Sequence, residues 1–264
     1  MDASLTYSRD GTRIAYNQSG AGPAIVLLHG GGGSRRDWHE AGYVARLQDR
    51  YAALTLDLRG HGQSDRPTDP AAYSTDKMCQ DILAVADAGG ARQFSIWGMS
   101  YGGKVGRYLA VRSKRVTALI MMGTPLGPGV SGARRQKALE FCAHWSPLVQ
   151  TLQAGRLGPG ELSTEDRETW ARLHVPSMLG WVRAMLDWPA IVPAQFRCPA
   201  LWLIGSEDRP AMESLRTYGP ALCRSRVQVR VEGGLDHEQV FDEVDRVLPV
   251  MLGFMASVHA EVQR

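Results

Sequence analysis

The chain has 264 residues, of which 44% are hydrophobic, and this length and composition suffice for one large domain with a complete core. The formal net charge is only +3, and the basic residues are scattered rather than gathered into the dense stripe of a nucleic-acid-binding face. No apolar run approaches the ~20 residues of a membrane span, so we expect neither a nucleic-acid nor a membrane partner.

The four cysteines are Cys79, Cys142, Cys198 and Cys223. None belongs to a Cys-x-x-Cys pair or stands beside a histidine at metal-ligand spacing, so we expect no metal site and free thiols in a reducing compartment. The first residues lack the apolar segment of a signal peptide, which favours a cytoplasmic protein.

Period-two patterns and apolar runs predict eight strands. Residues 5–8 and 12–19 alternate apolar and polar around an Asp-Gly pair, which is typical of a β-hairpin. Apolar runs predict further strands, most of them covered on both faces, at residues 24–28, 52–56, 93–97, 116–121, 200–204 and 227–231.

Helical spacing lies between these strands. We predict helices over residues 38–49 and 75–89, the second beginning at Ser74 or Thr75 and ending at two glycines. Another helix is expected to begin at residue 103, and a closing helix spans residues 238–255. Strands that alternate with helices predict an α/β fold with a mostly parallel sheet flanked by helices.

Residues 128–196 interrupt this alternation. The segment has helical spacing, several proline and glycine stops, and four of the seven tryptophans. We interpret it as a small helical cap over the strand ends, inserted between two parts of a core at residues 1–127 and 197–264. Most of these tryptophans are expected to anchor the cap, but Trp145, Trp181 and Trp188 are candidates for lining a substrate pocket.

Residues 98–102 read Gly-Met-Ser-Tyr-Gly between a predicted strand and a predicted helix. A turn this sharp strains the central residue and leaves no room for side chains two positions away, so glycine is needed there. The pattern is that of a nucleophile elbow, in which the serine stands exposed at the carboxyl edge of the sheet. Ser100 is therefore a candidate nucleophile.

A second glycine-rich loop, residues 29–34, follows the strand at 24–28 and reads His-Gly-Gly-Gly-Gly-Ser. Glycines let backbone N–H groups approach a ligand, as an oxyanion hole requires. The alternatives are a flexible loop or a phosphate cradle, although the Gly-Lys-Ser/Thr of a Walker loop is absent. We interpret His29 as a residue that braces this loop.

The polar turn at residues 57–65 contains Asp57, His61 and Asp65. These side chains resemble catalytic groups, but a turn this rich in glycine and charge is commonly held by side chain–backbone hydrogen bonds. We therefore predict structural roles for all three.

Asp208 and His237 each follow a predicted strand, as Ser100 does. A carboxylate past a strand end can orient a histidine. Asp208 is also a candidate N-cap of the next helix, and its neighbour Glu207 is an alternative partner for the histidine. Asp236 adjoins His237 and is a weaker candidate.

The order Ser100, Asp208, His237, together with the elbow and both glycine-rich loops, resembles the α/β-hydrolase superfamily over nearly the whole chain. The resemblance implies that Ser100 attacks an acyl carbon, that His237 removes its proton and that Asp208 orients the imidazole. It further implies that the N–H groups of Gly31 and Tyr101 form the oxyanion hole, that Gly30 lies beside the substrate, and that no cofactor is needed.

The resemblance is greatest to small capped hydrolases. It implies hydrolysis of a carboxylic ester or lactone with a small-to-medium apolar acyl group, through an acyl-enzyme. One alternative is a carbon–carbon bond hydrolase of a vinylogous diketone acid, in which Arg35, Arg36 or Arg183 binds the carboxylate. Others are perhydrolysis, with peroxide replacing water, and a ligand receptor with little turnover. Epoxide hydrolases and haloalkane dehalogenases of this fold carry an aspartate at the elbow, which disfavours both.

Overall fold

The computed structural model of the protein describes residues 3–262. Eight strands form one sheet in the order β1-β2-β4-β3-β5-β6-β7-β8. Their bounds are β1 Ser4–Tyr7, β2 Arg13–Ser19, β3 Ala24–Leu28, β4 Ala52–Leu56, β5 Phe94–Met99, β6 Val116–Met122, β7 Ala200–Gly205 and β8 Val227–Glu232. β2 is antiparallel to both β1 and β4, whereas all other neighbours are parallel. The predicted hairpin and mostly parallel sheet are confirmed.

Ten α-helices lie within the described residues. They are α1 Arg36–Glu40, α2 Tyr43–Leu47, α3 Thr75–Ala88, α4 Tyr101–Arg112, α5 Gly132–Gln153, α6 Thr164–Arg172, α7 Val175–Leu186, α8 Arg209–Leu222, α9 Gln239–Asp242 and α10 Val244–Val262. None of the helices in this part of the chain has the length and apolar character needed to cross a membrane.

The central strands are apolar throughout because helices cover both faces of the sheet. In β3, Val26 and Leu28 belong to a core shared with α3, α4 and α8. Ile25 and Leu27 point to the other face and pack with α2 and α10. The alternation of side chains along a strand therefore divides β3 between two apolar layers.

Two predicted helices are each broken in two. Residues 38–49 form the end of α1 and then α2, separated by Gly42 in the left-handed region with φ 85°, which favours glycine. The predicted closing helix becomes α9 and α10, because Glu243 leaves the helical region with ψ 58°. The predicted N-cap Ser74 is confirmed, since its side chain accepts a hydrogen bond from the Lys77 N–H.

The segment between β6 and β7 contains α5, α6 and α7. Its two ends meet at a pair of backbone hydrogen bonds, from Gly127 N–H to the Ile191 oxygen at 2.8 Å and from Ile191 N–H to the Gly127 oxygen at 2.9 Å. The Trp181 ring on α7 packs 4.9 Å from the Tyr101 ring at the start of α4. The helical insertion therefore covers the carboxyl end of β5, where the elbow lies.

Candidate active site

The turn from β5 to α4 holds Ser100 in a strained conformation. Its φ of 47° is the only positive φ of a non-glycine residue between residues 3 and 262. A Cβ at Gly98 would lie 2.4 Å from the Gly103 nitrogen, and one at Gly102 would lie 2.3 Å from the Leu28 oxygen. The strand, the helix and the neighbouring β3 are thus too close for side chains, and this contact fixes the serine at the sheet edge. Such strain typically costs about 1–3 kcal/mol.

Three hydrogen bonds hold the strained peptide. The Ser100 N–H donates to the Met122 oxygen at 2.8 Å. The Ser100 carbonyl accepts from the Lys104 N–H and from the Thr124 hydroxyl, each at 3.0 Å. The ends of β5, β6 and α4 therefore fix the backbone of the candidate nucleophile.

Ser100, His237 and Asp208 form one hydrogen-bonded chain. The His237 Nε2 lies 2.9 Å from the Ser100 Oγ, and the His237 Nδ1 lies 2.6 Å from an Asp208 oxygen. Asp208 is buried. An ionised carboxylate can only accept hydrogen bonds, so in this pair the His237 Nδ1 carries the proton and donates it. The Nε2 lone pair is then free to accept the serine proton.

Asp208 has two partners. One of its oxygens accepts the His237 bond, and the other accepts a hydrogen bond from the Ala211 N–H at 3.2 Å, which caps α8. A Cβ at Gly205 would lie 2.1 Å from the Leu235 oxygen, so only glycine lets the end of β7 approach the histidine loop this closely. The capping role considered for Asp208 and its contact with the histidine occur together.

The alternative carboxylates bond elsewhere. Glu207 is exposed and accepts a hydrogen bond from Ser206. Asp236 is exposed and accepts from the Gln239 N–H at 2.9 Å. Only Asp208 bonds to the His237 ring among the carboxylates of the described chain.

Gly123 packs against the His237 ring, and this role was not predicted from the sequence. It follows β6 with φ 56°, and a Cβ there would lie 3.0 Å from the His237 Nδ1 and 3.3 Å from an Asp208 oxygen. The histidine–aspartate bond therefore packs directly against bare backbone. The signal in the sequence is a glycine immediately after a strand, which also marks ordinary turns.

Gly31 and Tyr101 lie side by side. A Cβ built on Gly31 would be 3.6 Å from the Tyr101 Cβ. Tyr101 is the first residue of α4, so its N–H has no carbonyl of a preceding helical turn to bond. The Gly31 N–H has no acceptor among residues 3–262. Both residues line the cavity beside Ser100, so both N–H groups are candidates for binding an oxyanion.

Two buried histidines brace the glycine-rich loop. His29 Nε2 accepts from the Leu58 N–H at 3.0 Å, and its Nδ1 donates to the Gly30 oxygen at 2.7 Å. Its ring packs edge-on against His61, whose pKa is lowered to about 3 by burial and by the neighbouring His29. Both rings hold backbone in place, as the sequence analysis anticipated for each.

Asp57 and Asp65 are also occupied by backbone. Asp57 accepts from the N–H groups of Arg35 at 2.7 Å and Gln63 at 2.8 Å. Asp65 accepts from the Arg13 N–H at 2.8 Å. These bonds match the structural roles predicted for the turn.

A cavity of about 460 Å³ opens beside Ser100 and His237. Gly30 and Trp181, two of the residues predicted to contact a substrate, line this cavity, and so does Gly31, the predicted oxyanion-hole residue. Other apolar side chains at its wall are Met99, Val130, Met185 and Phe241.

Trp145 and Trp188 do not line this cavity, contrary to expectation. Trp145 stacks on Trp170 within the insertion, with ring centroids 6.1 Å apart. Trp188 donates from Nε1 to the Tyr73 oxygen at 3.0 Å and stacks against Tyr101. Both anchor the insertion, which is the common role of buried tryptophans.

Two cations at the cavity wall were missed by the sequence analysis. Lys104 is buried one turn after Ser100, and its Nζ donates to the Gly129 oxygen at 2.6 Å. Arg134, on α5, places a guanidinium nitrogen 3.4 Å from the His237 Nδ1 and 4.0 Å from an Asp208 oxygen. Nothing local distinguishes either residue from other basic residues on helices.

The three arginines considered as carboxylate partners lie elsewhere. Arg35 is buried in an ion pair with Asp57, Arg36 is exposed on α1, and Arg183 donates to the Ser146 hydroxyl at 2.6 Å outside the cavity. None of the three lines the cavity beside Ser100.

Known proteins share this arrangement of strands and helices. The model of the family described as alpha/beta hydrolase fold matches residues 23–147. A carboxylesterase structure from the thaumarchaeon Nitrososphaera gargenis superposes with a TM-score of 0.78 at 18% identity, covering 98% of this chain and 100% of that one. Epoxide hydrolases are among other solved structures with the same fold.

Curated proteins match this chain over different shares of their length. The 2-hydroxymuconate semialdehyde hydrolase of Pseudomonas sp. strain CF600 is 26% identical, over 95% of this chain and 93% of its own. A putative 2-succinyl-6-hydroxy-2,4-cyclohexadiene-1-carboxylate synthase of Bacillus subtilis is 29% identical over 54% of this chain. The match spans only 59% of that synthase. The family model and the solved structures agree with the eight-stranded sheet, and the chain has the α/β-hydrolase fold.

Proposed function

We propose that the protein is a serine hydrolase that cleaves a carboxylic ester or lactone through an acyl-enzyme intermediate. The observation that carries the proposal is the hydrogen-bonded chain from the Ser100 Oγ through His237 to Asp208, with distances of 2.9 and 2.6 Å.

In the first half-reaction the Ser100 Oγ attacks the acyl carbon while the His237 Nε2 takes the serine proton. The imidazolium that forms keeps its Nδ1 bond to Asp208, and the buried carboxylate stabilises the new positive charge. His237 then gives the proton to the leaving oxygen, and the alcohol departs from the acyl-enzyme.

The negative charge of the tetrahedral intermediate needs donors that are already in place. The N–H groups of Gly31 and Tyr101 are the two candidates, since both residues line the cavity that contains Ser100. Each donor of this kind is typically worth about 3 kcal/mol in the transition state. Water completes the cycle by attacking the acyl carbon with His237 as base.

The chemistry of a serine favours acyl transfer over epoxide opening. If Ser100 attacked an epoxide carbon, the product would be an ether, which water cannot hydrolyse under these conditions. Attack on an acyl carbon gives an ester that the same histidine can resolve.

The wall of the cavity favours a small-to-medium apolar acyl group. Met99, Val130, Trp181, Met185 and Phe241 together supply an apolar surface around a volume of about 460 Å³. Pockets of this size hold small organic molecules.

The first test measures steady-state hydrolysis of 4-nitrophenyl esters from acetate to decanoate by the wild type, by Ser100→Ala and by Ser257→Ala. Ser257 is exposed on α10 and serves as a serine control. We expect turnover that depends on chain length and a loss of about 10⁴- to 10⁶-fold in Ser100→Ala alone. Turnover that survives in Ser100→Ala would refute the acyl-enzyme.

A second candidate function is hydrolysis of a carbon–carbon bond in a vinylogous diketone acid. Two observations favour it. Lys104 and Arg134 at the cavity wall can bind a substrate carboxylate, and a hydrolase of 2-hydroxymuconate semialdehyde matches 95% of the chain. Loss of the diketone absorbance in the presence of enzyme, with negligible ester turnover, would favour this function. Binding without turnover of either substrate class would point to a receptor.

A further inference from the structure

We propose that Lys104 and Arg134 form a subsite for a carboxylate carried by the substrate, which narrows the proposed hydrolase function to anionic substrates. The inference rests on the proposed function, which supplies the ester or lactone carbonyl that reacts at Ser100. The negative charge of the substrate is inferred from the basic residues at the cavity wall.

Lys104 is a buried lysine without an anionic partner. The residue is 5% exposed, and its Nζ has one hydrogen bond, to the Gly129 oxygen. No carboxylate within residues 3–262 forms an ion pair with it. An ammonium has three N–H donors, so two remain for a ligand. A neutral side-chain amide at position 104 could also donate a hydrogen bond to the Gly129 carbonyl. A lysine differs from it in that its protonated form carries a positive charge.

The surroundings add positive charge to that of Lys104. Arg107 is buried one turn further along α4 and bonds only carbonyl oxygens, those of Pro125 at 2.7 Å and Pro128 at 3.0 Å. Burial and the neighbouring arginines lower the pKa of Lys104 well below its usual range. Unpaired buried charge is costly, and a bound anion would relieve the cost.

The carboxylates near this cluster are already occupied or lie at its edge. Asp208 accepts from His237 and Ala211, and its distance of 4.0 Å from the Arg134 guanidinium is too long for a hydrogen bond. Asp37 accepts from the Ser34 N–H. The remaining carboxylates that line the two cavities, Glu213 and Glu238, are exposed.

Lys104 and Arg134 form a wall that two cavities share. Both line the cavity beside Ser100, and both line a neighbouring cavity of about 240 Å³. A substrate whose carbonyl lies at Ser100 can therefore direct a carboxylate to this wall. Arg134 is 29% exposed, so its guanidinium can turn to meet the ligand while Lys104 stays fixed.

The test compares pairs of similar substrates in which one member carries a carboxylate and the other is neutral. One pair is mono-4-nitrophenyl glutarate and 4-nitrophenyl valerate, which places the carboxylate on the acyl group. The other pair is the butyrate esters of 4-hydroxybenzoate and 4-hydroxybenzamide, which places it on the leaving group. The variants are Lys104→Met and Arg134→Gln, with Lys137→Met, an exposed lysine on α5, as the charge-matched control.

We expect the wild type to prefer the anionic member of one pair, and that ratio of kcat/KM values to fall about 10- to 100-fold in each variant. This is the typical loss when a hydrogen bond to a charged group is removed. Lys137→Met should keep the wild-type ratio. If Lys104→Met does not fold, Arg134→Gln, whose side chain is partly exposed, still tests the subsite.

The failure of this inference can be told from the failure of the proposed function. Ser100-dependent turnover of the neutral esters without an anionic preference in either pair would overturn the subsite alone. If no ester is turned over, calorimetric titration of glutarate into the wild type and into Arg134→Gln decides. Binding that weakens at least tenfold in the variant supports the subsite, and equal or absent binding refutes it.

Discussion

Replacement of Gly123 by alanine is the sharpest test of how the histidine is held. The new Cβ would lie 3.0 Å from the His237 Nδ1, whereas ordinary contacts between such atoms are about 3.5 Å or more. The ring must therefore retreat by about 0.5 Å. It cannot move toward Asp208, because that bond is already 2.6 Å long, so the bond between Nε2 and the Ser100 Oγ must change.

The size of the effect follows from that displacement. A misplacement of 1 Å at a reacting group can cost about 10²-fold in rate, so half of it should lower kcat about tenfold. KM for a neutral ester should change little, because the acyl pocket is untouched. The φ of 56° at this position also strains any non-glycine residue, at a cost of about 1 kcal/mol and about 2–4 °C in Tm.

Gly90→Ala separates strain from displacement. Gly90 has φ 70° at the end of α3, and a Cβ there meets no atom within 4 Å. The control should lose similar stability but keep the wild-type kcat. The reasoning would be refuted by a wild-type kcat in Gly123→Ala, or by an equal loss of kcat in Gly90→Ala, in 4-nitrophenyl ester assays at matched folded fraction.

Three further outcomes are expected. Asp208→Asn should lower kcat about 10⁴-fold with little change in Tm, since asparagine caps helices as well as aspartate does. Asp208→Ala should also lose about 1 kcal/mol of stability in urea unfolding, because alanine cannot cap the helix. Equal stability of the two variants would contradict the capping role. Trp188→Phe leaves the buried Tyr73 carbonyl without its hydrogen-bond donor, so the variant should lose about 1–3 kcal/mol of stability. Its selectivity among esters should not change, and altered selectivity would place the Trp188 ring at the pocket. Burial opposes ionisation of Asp10, but hydrogen bonds from Arg59 and others outweigh it and lower the pKa of Asp10 to about 2, from 3.8. This ionised form therefore stabilises the fold above about pH 4 and is lost as the pH falls toward 2; Asp10→Asn should show a smaller drop in urea midpoint between pH 6 and pH 3, and an equal drop would count against the assignment.

The strands and the elbow are predictable because their causes are local. An apolar run such as residues 52–56 predicts a strand buried on both faces, and Gly98 and Gly102 flank a serine where no Cβ fits. Strand ends in a parallel sheet meet at one edge, so the chain order already indicated that Ser100, Asp208 and His237 would lie close together.

The features that were missed depend on contacts between distant segments. Gly123 is one glycine among many until the His237 ring is seen against it. Lys104 has the sequence context of an ordinary helical lysine, and only the folded structure shows that it is buried with its Nζ on the Gly129 oxygen. The tryptophans of the insertion look alike in sequence, and only packing separates Trp181 at the cavity from Trp188 at its anchor.

The two hydrogen bonds between Gly127 and Ile191 have a consequence for how this protein could change its substrate. They form an isolated bridge outside the sheet that brings the two ends of the insertion together, so the residues between them are joined to the core at one place. A segment attached in this way can be lengthened, shortened or exchanged without altering the register of β6 against β7. A chimaera joined at Gly127 and Ile191 would take the insertion, and with it the substrate selectivity, from one parent. It would take Ser100, Asp208 and His237 from the other.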